Sequence, residues 1–100
     1  MVEAKRVIWP QKVRTQLREL YKYIKRDSPM NAEKVRKDIL ASTRELSKDF
    51  KLHQPDKYKE DNDGSYRAYE IHRYRIAYHV GEGDITIVRV RHVSMEPTRY

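Results

Sequence analysis

The stretch YRAYEIHRYRIAYHV, Tyr66 to Val80, decides how the second half of this chain folds. Tyr74, Ile76, Tyr78 and Val80 alternate with Arg75, Ala77 and His79. That two-residue period is the mark of a strand with one buried face. His72 and Arg73 interrupt the pattern and predict a tight turn after a first strand over 66–71. GEGD, Gly81 to Asp84, follows as a hairpin connection with glycines available for positive φ. ITIVRVR, Ile85 to Arg91, is the last strand, with Val88 and Val90 alternating against Arg89 and Arg91. Three arginines, Arg67, Arg73 and Arg75, sit within the opening stretch. Either they solvate a surface or they grip an anion.

Upstream of that stretch the period changes. KRVIW, Lys5 to Trp9, is β-branched and aromatic and reads as a short strand. Pro10 closes it and is suited to opening a helix, where no backbone donor is needed. Val13, Leu17, Leu20 and Ile24 recur at threes and fours, one apolar stripe on a helix. Ser28 then offers an N-cap and Pro29 a first helical residue. Ala32, Val35, Ile39, Thr43 and Leu46 mark a second stripe. A short link between two amphipathic helices predicts an antiparallel hairpin. From Phe50 to Ser65 the pattern dissolves into a polar loop, whose acidic residues read as solvated charge.

The expected fold is therefore α+β, in the order strand, helix, helix, strand, strand, strand. The N-terminal helical hairpin packs on one face of a curved, mostly antiparallel sheet. One domain over residues 1–100 accounts for the whole chain. Ile76, Tyr78, Val88 and Val90 are expected under the helices. Arg75, Arg89 and Arg91 then point to the opposite face, because strand side chains alternate. Arg67 and His92, at strand ends, are expected to reach that same surface.

Composition narrows the chemistry. The 100 residues carry a net charge of +7, 38% hydrophobic residues and no cysteine. A basic domain is drawn to nucleic acid, anionic surfaces or an acidic partner. The chain lacks thiolate chemistry and has no N-terminal apolar run, so a soluble cytoplasmic protein with no membrane contact is expected. All ten lysines lie at or before Lys59, and every later cation is an arginine. Arginine suits fixed two-point contact with phosphate or carboxylate. No Gly-rich phosphate loop, HExxH or CxxC is present, and the four histidines show no ligand spacing, so neither metal nor cofactor is expected. Arginine, tyrosine and histidine suffice for one reaction, the attack of an RNA 2′-hydroxyl on its adjacent phosphate. That reaction needs a base, an acid and cationic donors around phosphorus. Among the histidines, His92 beside Arg91 is the best placed.

The run YRAYEIHRYRIAYHVGEGDITIVRVRH resembles the C-terminal half of the RelE/ParE superfamily of type II toxins. The tryptophan strand, the DSP helix break and NDGSYR extend the likeness over most of the chain. The resemblance implies a small toxin neutralised by a cognate antitoxin encoded beside it. One branch of that superfamily cleaves mRNA in the ribosomal A site, and another poisons DNA gyrase. On this likeness Arg75 falls on the phosphate-contacting arginine, Arg67 on a basic position and His92 on the basic position after the last strand. Tyr100 corresponds to a C-terminal tyrosine that stacks on the substrate base. Tyr69 and Val93 stand where many nucleases have cations, leaving Arg91 or Arg99 to compensate. The expected catalytic set is thus Arg67, Arg75, His92 and Tyr100, with Tyr69, Arg73, Arg89, Arg91 and Arg99 binding substrate. The leading expectation is a metal-free, ribosome-dependent mRNA endoribonuclease. The alternatives are a non-enzymatic gyrase inhibitor and a degenerate relative that only binds its antitoxin. DNA contact is expected only through the antitoxin.

Overall fold

Local sequence rules set the elements of the computed structural model, which describes residues 4–95 and 98–100. Ser28 caps the second helix by accepting a hydrogen bond from the Asn31 amide at 3.1 Å, with Pro29 at the first helical position. The elements are β1 (Arg6–Ile8), α1 (Gln11–Lys25), α2 (Pro29–Glu45), β2 (Tyr66–Ile71), β3 (Tyr74–Val80) and β4 (Asp84–His92). They follow the predicted order. The strands form one sheet in the order β1-β4-β3-β2. β1 runs parallel to β4, and the other two pairings are antiparallel.

The helical stripes close over one face of this sheet. Val13, Leu17, Leu20, Val35, Ile39 and Leu46 meet Tyr74, Ile76, Tyr78, Ile85, Ile87 and Val90 in a single core. Val88, expected in that core, is only half-buried. The register slips at Ala77/Tyr78: Ala77 faces Arg89, while Tyr78 faces Ile87. Val88 is the extra residue of a β-bulge, so the inward alternation restarts after it.

The turns divide against expectation. His72 and Arg73 both take positive φ, 50° and 66°, the signs of a type I′ hairpin turn. Neither residue is glycine, so the predicted turn exists at a steric cost. Of the glycines, Gly64 takes a positive φ, 98°, whereas Gly81 and Gly83 do not.

The segment between α2 and β2 wraps the edge of the sheet. Phe50 and His53 lie on the helical side, where the Phe50 carbonyl accepts from the Tyr78 hydroxyl at 2.9 Å. Pro55 bridges Arg67, and the Gln54 carbonyl takes the Ala68 amide at 3.1 Å, covering the β2 edge. The chain then crosses to the far face, delivering Asp56 and Tyr58 against Arg75.

Candidate functional site

β-pairing alone arranges the far face. Glu70 lies opposite Arg75, and Arg75 opposite Arg91. Ala68 and Ala77 form the next row with Arg89. Both alanines are buried, and their small side chains leave space for an incoming loop. As expected, Arg75, Arg89 and Arg91 therefore share the side away from the helices.

Arg75 is not free to grip a guest. Its guanidinium donates to Asp56 Oδ1 at 2.9 Å and rests 4.9 Å from the Tyr58 ring centroid. Glu70 adds a second carboxylate at 3.6 Å. Asp56 was read from the sequence as solvated charge, but its side chain is fully buried. The Tyr100 hydroxyl donates to Oδ2 at 2.6 Å and the Tyr58 amide to Oδ1 at 3.0 Å. Burial opposes charge on Asp56, yet the hydrogen bonds from Tyr100, Arg75 and Tyr58 outweigh it and hold the carboxyl below its usual range. Tyr100 responds in the opposite sense: burial first, then the Asp56 carboxylate, push its hydroxyl well above the ordinary phenol value.

The backbone of Tyr100 is equally occupied. Its amide donates to the Tyr58 carbonyl at 3.0 Å, and its carbonyl accepts from Glu60 at 2.6 Å. Arg89 lies 4.3 Å from the Tyr100 ring centroid and donates to the Thr98 carbonyl at 2.7 Å. Residues 98–100 thus form a strap across the far face, packed edge-on to Tyr66.

A small cleft remains beside this strap. Arg75, Arg89, Arg91 and His92 line it with Tyr58 and Glu70, in a volume of about 60 Å³. That is room for about two waters. His92 is pinned at its mouth. Its Nδ1 accepts from the Ser94 amide at 3.0 Å and sits 2.6 Å from the Ser94 hydroxyl. A neutral His92 therefore carries its proton on Nε2, which makes that nitrogen a donor rather than a base.

The other expected residues lie elsewhere. Arg67 pairs with Tyr78, not Ala77, and so faces the helical side. Its guanidinium donates to the His53 carbonyl at 2.6 Å, fastening the wrapping loop. Tyr69 points the same way. It stacks on His53 at 4.1 Å, its hydroxyl lies 2.7 Å from that of Ser42, and burial pushes its pKa up to about 12. Arg73 is exposed in the β2–β3 turn, and Arg99 is exposed on the strap. The surface expected to join Arg67 and His92 to Arg75 is thus divided. Arg67 is one strand position out of phase with it, and so is His92, which pairs with core-facing Tyr74, packs edge-on to that ring at 5.0 Å and touches the cleft only from its end.

Asp56 and Tyr58 are the residues that sequence reasoning missed. Their only local signal is an aspartate between Pro55 and a nearby tyrosine inside an otherwise solvated run. Among the described residues, no helix is long and apolar enough to cross a membrane.

Comparison with known proteins agrees with this architecture. Residues 7–97 match the family model described as the ParE toxin of type II toxin-antitoxin system, parDE. No curated protein matches the sequence. A solved structure titled "Chromosomal ParDE TA system from P. aeruginosa" superimposes with a TM-score of 0.72 at 18% identity. The alignment covers 92% of this chain and 99% of that one, which makes it a likeness of fold.

Proposed function

This chain belongs to the ParE toxin family of type II toxin–antitoxin systems, and from that premise we propose that it acts by occupying its target rather than by cutting RNA. The target is DNA gyrase, as in the gyrase-poisoning branch of the superfamily. The observation that carries this reading is the fate of Arg75. A nuclease needs that guanidinium aimed at a scissile phosphate. Here it neutralises a fully buried carboxylate, Asp56, under a strap that ends on Tyr100. Arg67, the second cation a nuclease requires, faces the other side of the sheet. A binding toxin needs neither group exposed.

A cognate antitoxin is the second partner. Its segment carries carboxylates and an amphipathic helix to match the basic surface, and its association rate falls with salt. The site of action is the cytoplasm, where gyrase and antitoxin both reside.

RNA cleavage is the competing reading, favoured by the gathering of Arg75, Arg89, Arg91 and His92 around one cleft. It requires the strap to lift and the cleft to widen. Two assays, one on the purified toxin and one in cells expressing it, separate the readings. A gyrase supercoiling reaction is expected to stall or to accumulate cleaved DNA. Primer extension on mRNA from expressing cells is expected to show no new 5′ ends. Cut mRNA together with unimpaired gyrase overturns the proposal.

A further inference from the structure

The cations of this protein are concentrated on the helical hairpin. Residues 11–45 hold ten lysines and arginines against five acids, a net of +5 out of the total of +7. On α1 the apolar face is Val13, Leu17, Leu20 and Ile24. Turned away from it, at successive steps of four, four and three, stand Arg14, Arg18, Lys22 and Lys25. All four are exposed. They make a row of roughly 16 Å at 1.5 Å rise per residue. None forms an ion pair among the described residues. Arg14 bonds to Gln11, a neutral partner, and Lys25 rests over the Tyr21 ring. Of the nearby acids, Glu33 is engaged with Tyr21 and Arg36, and Asp38 with Lys34 and His72. Glu19, exposed on α1, forms no ion pair among the described residues and lines a groove on the side of Gln16 and Tyr23. On α2, Lys37 and Arg44 extend the same outward surface and are likewise exposed.

We infer that this outward face is a direct binding surface for the phosphate backbone of duplex DNA, independent of any antitoxin. A straight, unneutralised line of cations matches a regular line of phosphates, and neutralising those phosphates releases counterions. A solvated helix face would intersperse the acids along the row, as α2 does with Glu33 and Lys37. Duplex is favoured over single-stranded nucleic acid because the cations stand in a rigid, regularly spaced row on one helix, which suits the fixed phosphate spacing of a duplex. Of the two tyrosines on α1, Tyr21 has its hydroxyl tied to Glu33, and Tyr23, 68% exposed, borders a separate groove with Tyr74 and His92. The contact reads no sequence, since it lacks base-reading groups in a groove. It holds the toxin on DNA, and it does not depend on gyrase being the target.

The test uses the purified toxin alone, with no gyrase and no antitoxin, and a labelled 25-base-pair duplex read by fluorescence anisotropy. Four phosphate contacts give a slope of about −3.6 for log binding constant against log salt, roughly a 100-fold loss between 50 and 200 mM. The quadruple variant Arg14→Gln, Arg18→Gln, Lys22→Gln, Lys25→Gln is expected to weaken binding at least tenfold and flatten the slope toward zero. Its circular dichroism should match the parent, because all four side chains are in solvent. Lys51→Gln with Lys57→Gln, exposed on the wrapping loop, should leave the slope unchanged. Duplex binding that is absent at low salt, or intact in the quadruple variant, overturns the inference. Equal affinity for duplex RNA or single strands also overturns it, reducing the row to a nonselective polyanion surface.

Discussion

Replacing Asp56 with alanine should destabilise this fold more than any exposed charge change. Its carboxylate accepts from Arg75, Tyr100 and the Tyr58 amide while its side chain is fully buried. Removal leaves a guanidinium with 18% of its side chain exposed, relieved in part by Glu70 at 3.6 Å. It also removes the acceptor of the half-buried Tyr100 hydroxyl. Breaking a buried pair costs about 3–5 kcal/mol; Glu70 and residual solvent place this case near the lower figure. For a domain of this size, about 3 kcal/mol lowers Tm by roughly 12–24 °C. Thermal unfolding followed by circular dichroism measures it. Arg75→Met alone should cost a comparable amount, since it leaves the carboxylate uncompensated. The double variant Asp56→Ala, Arg75→Met should cost less than the two singles together, with a coupling of about 1.5 kcal/mol or more. Additive losses, or a drop below about 4 °C in either single variant, would refute the buried-pair argument. A folded double variant that still arrests growth would further separate Arg75 from target contact.

Other consequences can be checked on the same material. Asp56 titrates below its unfolded value of 3.8 in the folded chain, so its stabilisation is complete above that pH and is lost as pH falls through the folded value. Acid unfolding of Asp56→Asn should accordingly be flatter than that of the parent below about pH 4. At the alkaline end Tyr69 and Tyr78, both raised to about 12 by burial first, favour the neutral phenol. Their contribution is complete below the unfolded value of 10.0 and declines as pH rises through 12; a spectroscopic titration should show these phenols ionising only with unfolding. Arg73→Gly, at φ 66°, should raise stability by about 0.5–1 kcal/mol in urea denaturation, because glycine takes a left-handed backbone without a Cβ clash. Ser28→Ala should lower it by about 1 kcal/mol through loss of the α2 cap.

The sequence by itself determined whatever depends on neighbours a few residues apart. The stripes at threes and fours produced both helices, Ser28-Pro29 placed the start of the second, and alternation put Arg75, Arg89 and Arg91 on one side of their strands. Even the His72-Arg73 turn was legible, because two strand patterns met there. Membership of the superfamily was visible for the same reason, since its signature is a string of local elements. Tertiary structure decided the rest. Register put Arg67 opposite Tyr78 rather than Ala77, and one bulge moved Val88 out of the core. The path of the wrapping loop turned Asp56 from a solvated acid into the buried partner of Arg75. Those outcomes depend on contacts between residues far apart in the chain. A single residue of slip reverses a side chain's face, and local composition holds no record of which slip the core will select.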